Sequence, residues 1–312
     1  MFYHLFYPLR VYFFPFNVFK YITFRAGGAI FTSLILSLIL APLLIKKLKQ
    51  FHIGQQVRED GPPTHMKKAG TPTMGGLIIL ISLTVSTFLW ARLDNRFTII
   101  ILLSTLWLGI LGFLDDYLKL IKRRSRGLMA RYKLFGQSIL AMIIVVYLYY
   151  YPANPGYVTQ LNIPYLKDLF INLGWFYALF AILLIVGSSN AVNLTDGLDG
   201  LAVGSVLIAA MTYALMSYLA GHAQFSSYLR IVPVPGAGEL SVFLGSMAGA
   251  GLGFLWFNSY PAEVFMGDTG SLFLGGTIGI VALCIKQELL LVIVGGIFVV
   301  EALSVILQVA SF

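Results

Sequence analysis

Apolar residues in this chain fall in long blocks separated by short polar connections. Nine such blocks stand out, at approximately 22 to 45, 74 to 91, 97 to 114, 134 to 151, 174 to 190, 200 to 220, 240 to 257, 270 to 285 and 289 to 311. About 20 apolar residues are what a helix needs to cross the hydrocarbon of a bilayer. The pattern therefore predicts an all-α polytopic membrane protein, a bundle of about nine transmembrane helices in a single integral domain over 1–312. Gly245, Gly249 and Gly253 recur at small-residue spacing in the seventh block, which lets helices approach closely in lipid.

Composition agrees with a lipid solvent, since 58% of the 312 residues are hydrophobic and only 11% charged. A globular water-facing surface does not have that make-up. The net charge of +8 is no sign of nucleic acid, because the basic residues sit in short loops between apolar blocks rather than along one face. The single cysteine, Cys284, lies in an apolar run, which excludes an intrachain disulfide and a thiolate zinc cluster. Residues 1–21 hold ten aromatics and two prolines without a small-residue cleavage site, so they are expected to form an interfacial aromatic segment rather than a signal peptide.

Lysine and arginine are retained on the cytoplasmic side of a membrane, and here they partition unevenly. The connection after the first block holds Lys46, Lys47, Lys49, Arg58, Lys67 and Lys68, and that after the third holds Lys119, Lys122, Arg123, Arg124, Arg126, Arg131 and Lys133, together thirteen of the 21 cations. Arg10, Lys20, Arg25, Arg92, Arg96, Lys167, Arg230 and Lys286 fall on the other side. The N-terminus is thus expected outside and the connections after odd-numbered helices inside. Those after the fifth and seventh carry aspartates instead of cations.

Three acidic clusters meet on that inner face: Asp115-Asp116 at the end of the third block, Asp196 and Asp199 in Asn193-Leu194-Thr195-Asp196-Gly197-Leu198-Asp199-Gly200, and Asp268 in Phe265-Met266-Gly267-Asp268-Thr269-Gly270-Ser271. Carboxylates from distant parts of a chain, at one depth and beside many cations, are what a magnesium-assisted phosphoryl reaction needs. Each piece also has a plainer reading. An aspartate at a helix end caps the next helix, Asp-Gly favours a turn, and lysine runs follow from topology alone. Ionisable groups at membrane depth are costly, which weights Asp115 and Asp116 toward function. Lys68 precedes Gly70-Thr71-Pro72-Thr73-Met74-Gly75-Gly76, whose glycines either bring backbone amides to a phosphate or serve helix entry. His52, His65, His4 and His222 lack metal-pair spacing, and no Gly-Lys dipeptide occurs, which excludes the phosphate loop of nucleotide hydrolases.

Lys68 to Gly76, Asp115-Asp116, Ala130-Arg131-Tyr132-Lys133, Asn190 to Gly200 and Phe265 to Ser271 together resemble the phospho-N-acetylmuramoyl-pentapeptide transferases, a branch of the polyprenyl-phosphate sugar-1-phosphate transferases. The resemblance runs from about Asn17 to Phe312. It implies that UDP-MurNAc-pentapeptide and undecaprenyl phosphate react with Mg2+ to give lipid I and UMP at the bacterial inner membrane, the first membrane step of peptidoglycan synthesis, in an enzyme that forms homodimers. It implies catalytic roles for Asp115, Asp116, Asp268 and Lys133, with Asp268 binding the metal. Substrate-binding roles fall on Lys68, Thr73, Lys119, Asn190, Asn193, Asp196, Asp199 and Phe265, whose ring would stack on uracil. Thr269 stands where valine is usual. The family continues past the position of Phe312 into a His-rich loop and a tenth helix, so a truncated chain is the expectation.

The implied mechanism has Asp115 accepting the proton of the lipid phosphate, with positioning and electrostatic stabilisation supplying most of the rate. A double displacement through an aspartyl-phosphate is the other route. Rival readings are a transferase using UDP-GlcNAc, an inactive remnant, and an ion-coupled transporter. The last fits poorly with carboxylates at helix ends instead of the midplane.

Overall fold

The structure is a computed structural model that describes residues 1–50, 71–120, 127–166 and 169–311. Every apolar block is helical: α1 (Ile22–Gln50), α2 (Gly76–Trp90), α3 (Arg96–Leu120), α4 (Ala130–Tyr150), α5 (Phe176–Thr195), α6 (Leu201–Gly221), α7 (Leu240–Asn258) and α8 (Asp268–Cys284). The ninth block is not one continuous helix. It breaks at Gly295, where a short helix Leu290–Val294 gives way to α9 (Gly296–Ser311), as adjacent glycines allow.

Among the described residues, six helices are long and apolar enough to cross a membrane, while α2, α8 and α9 are shorter apolar helices. At 1.5 Å per residue, the 15 residues of α2 and the 17 of α8 reach only about 22 and 26 Å. The missing length is taken up by extended backbone. Phe265 N–H donates to Pro72 O, and Gly75 and Gly76 N–H donate to Phe265 O and Met266 O, each at 2.8 Å. The chain just before α2 and just before α8 therefore forms a paired ribbon recessed into one end of the bundle.

Buried α7 and α8 form the centre. Along α7 the glycine stripe predicted from spacing meets α1: a Cβ on Gly245 would stand 3.1 Å from Ala26 O, and one on Gly253 2.7 Å from Ser37 Cβ. Gly249 faces the Ile30 carbonyl and Ser33 still more tightly. At the end away from the ribbon, Arg25 of α1 donates both terminal guanidinium nitrogens to Glu239, beside the start of α7, at 2.6 Å each, with both side chains buried. Such a bidentate pair satisfies both terminal nitrogens and both carboxylate oxygens that it removes from water.

That end also carries a two-stranded antiparallel hairpin, β1 (Gln160–Asn162) with β2 (Phe170–Asn172). The aromatic N-terminal segment packs there too. Phe19 stacks on Trp90 at 6.0 Å, Phe2 meets the same ring edge-on at 5.1 Å, and Tyr12 and Phe14 stay exposed.

Candidate functional site

Backbone proximity builds the site before any side chain contributes. Gly76 of α2 lies directly against the backbone of Gly270, and Gly112 of α3 directly against that of Asp268. Side chains at either position would drive α2 and α3 away from the start of α8. Gly267, at φ 74°, turns the ribbon into α8, and a Cβ there would crowd Asp116 Oδ2 and Thr73 Oγ1. Thr73 is thus placed at the site's edge.

Into this crossing α3 projects both of its terminal aspartates, which are buried. Asp116 serves the start of α8: its Oδ2 accepts from Thr269 N at 2.8 Å and Thr269 Oγ1 at 2.6 Å, and its Oδ1 from Asp268 N at 3.2 Å. A carboxylate supplied by a neighbouring helix thereby satisfies orphan amides at a helix N-terminus, where the dipole favours negative charge. Asp115 accepts from Leu128 N at 2.7 Å through Oδ1 and pairs with Lys119 Nζ at 2.6 Å through Oδ2.

Asp268 is the hub. Its Oδ2 accepts from Lys133 Nζ at 2.7 Å and Lys119 Nζ at 2.9 Å, and its Oδ1 from Asn193 Nδ2 at 2.7 Å. Lys133 also lies 3.5 Å from Asp115 Oδ2. Four helices thus meet at one carboxylate: α3 brings Lys119, α4 Lys133, α5 Asn193 and α8 Asp268 itself. Asn193 also donates to Ser271 Oγ at 2.7 Å, which fixes its amide relative to α8.

The Asp196 and Asp199 turn closes the remaining side. Asp196 Oδ2 accepts from Gly267 N at 3.2 Å, and Asp199 Oδ2 from Ala262 N at 3.3 Å. Burial, with the neighbouring charges of Asp268 and Asp116, raises the Asp196 carboxyl well above the usual carboxylate range against the pull of the Gly267 amide. Asn258 ties the turn to the ribbon, accepting from Gly200 N at 3.1 Å and donating to Val264 O at 2.9 Å. Phe265 is half-buried on that ribbon.

Of the predicted residues, Asp115, Asp116, Lys119, Lys133, Asn193, Asp196, Asp268, Asp199, Thr73 and Phe265 converge on this end of the bundle. Asn190 does not join the carboxylates. One turn back along α5, it donates to Gln137 Oε1 and Val186 O at 2.8 Å each, in a polar chain that continues from Gln137 to Ser189 Oγ at 2.9 Å. Lys68 lies outside the described residues. Pattern reading missed Gln137, Ser271 and Asn258, and gave Thr269 no role beyond standing where valine is usual. A buried polar residue on an apolar helix was the available signal for Gln137.

One oxygen from each of Asp115, Asp116 and Asp268 lies within 4.8 Å of the others. An all-oxygen set with three negative charges against two ammonium groups suits a hard divalent cation. Asp116 spends its oxygens on the amides and hydroxyl that open α8, whereas Asp268 and Asp115 face the ammonium groups of Lys119 and Lys133, partners that incoming phosphates can draw off, so these two are the ones that could hold it.

The chain matches the description Glycosyl transferase family 4 over residues 98–286, and phospho-N-acetylmuramoyl-pentapeptide-transferase signature 1 over residues 68–80. It is 60% identical to the phospho-N-acetylmuramoyl-pentapeptide-transferase of Endomicrobium trichonymphae over 309 residues, covering 99% of this chain and 86% of that protein. Enzymes of the same name from Desulfotalea psychrophila and Thermodesulfovibrio yellowstonii are 55% and 54% identical over all of this chain and 86% of theirs. By full-length identity and by signature, this chain belongs to the phospho-N-acetylmuramoyl-pentapeptide-transferase family.

Proposed function

We propose that the protein transfers phospho-MurNAc-pentapeptide from UDP-MurNAc-pentapeptide to undecaprenyl phosphate, giving lipid I and UMP. The observation that carries this reading is the pairing of Asp268 with Lys119 and Lys133 at the membrane-bundle end, a site where anionic oxygens and ammonium groups are already matched. A phosphate oxygen of the carrier attacks the sugar-linked phosphorus, and the bond from that phosphorus to the oxygen of UMP breaks. Lys119 and Lys133 exchange carboxylate partners for phosphate oxygens and hold the two phosphate groups together. Asp115 takes the carrier proton when one is present. Since a phosphate monoester has a second pKa of about 6, that service is modest at neutral pH, and positioning dominates.

Mg2+, held by Asp268 and Asp115, would neutralise charge developing on the pyrophosphate oxygens. Asp116 keeps Asp268 in register through the backbone of α8. Asn193 and Ser271 orient the Asp268 carboxylate. Phe265 offers its ring to uracil, with Asp196, Asp199, Thr73, Lys68 and Asn190 as further substrate contacts. The distribution of lysine and arginine supports a cytoplasmic site and a periplasmic N-terminus in the bacterial inner membrane. A homodimer is part of the same reading.

The test is UMP release by purified protein supplied with both substrates and magnesium. Turnover that needs magnesium and is lost in Asp268→Ala and Asp115→Asn supports the reading. Turnover with UDP-GlcNAc in place of the muramoyl substrate, or with Asp268→Ala unimpaired, would refute it.

A further inference from the structure

A cavity of about 610 Å3 lies at the end of the bundle opposite the carboxylates. Its wall is apolar: Phe97 from the start of α3, Met142, Val146 and Tyr149 from the last turns of α4, and Trp175 and Ala178 at the start of α5. Met142, Val146, Tyr149 and Trp175 are also exposed at the surface, so the cavity opens sideways where the bundle faces lipid. Met142 lies two turns below the end of α4, about 12 Å at 1.5 Å per residue. One leaflet of a hydrocarbon core about 30 Å thick offers chains of that reach. Tyr149, Tyr150 and Trp175 ring the upper edge, as aromatic residues do at headgroup depth.

The charged groups at the inner wall are matched among themselves. Lys286 Nζ donates to Tyr177 Oη at 2.6 Å and Val158 O at 3.2 Å and lies 3.3 Å from Glu288, and Tyr177 Oη donates to Glu288 Oε1 at 2.6 Å. Lys286 and Glu288 thus offset each other at the inner wall, so the depth of the cavity selects a chain. The carrier's phosphate belongs at the other end of α4, a helix of 21 residues. A phospholipid of the nearer leaflet enters with its chain already at the right depth.

We propose that this cavity is a lipid site that takes one acyl chain of a bilayer phospholipid from the leaflet opposite the carboxylates. The chain fills the gap between α4 and α5, the helices that carry Lys133 and Asn193 at their far ends.

The test uses purified protein in detergent and a phospholipid with a photoactivatable diazirine in its acyl chain. Saturable labelling is expected on the peptides spanning residues 142–150 and 175–178, displaced by unlabelled phospholipid. Ala178→Trp, which plugs the cavity from α5, and Val146→Trp, which plugs it from α4, should each lose the saturable component. Leu183→Trp, on an exposed position of α5 outside the cavity, should keep it. Thermal unfolding checks that each variant is folded, and two independent plugs guard against one failing to fold. Labelling that never saturates, that survives both plugs, or that polyprenyl phosphate displaces while phospholipid does not, would overturn the proposal.

Discussion

Gly112→Ala is the sharpest test of how the site is assembled. A methyl group there would meet the Asp268 carbonyl carbon at 2.6 Å and Thr269 Cα at 2.7 Å, where ordinary contact begins at 3.4 Å. These are backbone atoms on both sides and have no rotamer to change. The Asp268 carbonyl oxygen is closer still, so α3 and the start of α8 must part by at least about 0.8 Å. Helix propensity alone would favour alanine by about 1 kcal/mol. The overpacking cost of roughly 1–3 kcal/mol opposes it, so the unfolding midpoint should fall or stay level despite the better helix former. The larger effect is on rate, because the same displacement separates Asp115 and Lys119 from Asp268. A misplacement near 1 Å costs up to about 10²-fold. In a UMP-release assay kcat should drop by about that factor, while KM for the nucleotide substrate changes less, since the proposed uracil contacts sit on the ribbon and the Asp199 turn. Gly204→Ala is the control, because nothing lies within 4 Å of a Cβ at that position. Wild-type kcat in Gly112→Ala, or an equal loss in Gly204→Ala, would refute the argument that close backbone approach sets the site.

Asp116→Ala would leave the Thr269 hydroxyl and amide and the Asp268 amide without their acceptor, at about 1–3 kcal/mol for buried unsatisfied groups; a lowered unfolding midpoint together with lost turnover is expected, and an unchanged midpoint would count against its anchoring role. Lys133→Gln should impair turnover more than Lys119→Gln, since the Lys133 side chain is 14% exposed against 39% for Lys119; equal kcat values would contradict that ranking. The folded protein holds a proton on Asp196 more tightly than the unfolded chain does, so this group's contribution to stability is full below the ordinary carboxylate pKa and is lost as pH rises through the raised value. Unfolding midpoints of wild type and Asp196→Asn should therefore diverge with rising pH, the variant higher, and parallel curves would refute the shift. Magnesium should raise the unfolding midpoint of wild type by mass action but not that of Asp268→Ala, and equal shifts in both would remove Asp268 from the metal site.

The helical blocks and their order were legible, though not the break at Gly295, because apolar blocks of membrane length have few other uses. The three acidic clusters were legible for the related reason that a charge at a helix end in lipid needs a purpose. What pattern could not show was how each carboxylate is spent. Asp115 and Asp116 look equivalent as neighbours, yet one faces two lysines and the other binds backbone amides of a helix 152 residues away. Asn190 and Asn193 share a motif, but a turn of helix separates them, and only Asn193 reaches Asp268. The shortness of α2 and α8 also escaped pattern, since hydropathy does not see that Pro72 and Phe265 pair across the bundle. The cavity beneath the hairpin comes from the packing of α4 against α5, a relation between surfaces that no single segment encodes.

Arg25 and Glu239 stand 214 positions apart in the chain. At roughly 5–20 residues per second of synthesis, the arginine emerges some tens of seconds before its carboxylate exists. Throughout that interval α1 carries a cation it has no means to neutralise within the bundle, and the energetically cheap course is to keep its head among water and headgroups. The glycine face of α7, which arrives with Glu239, then supplies both the charge and the smooth surface that α1 lacks. The first helix to be made thus takes its final seat among the last, and a chain released before α7 would carry an unseated first helix rather than a smaller version of the same bundle.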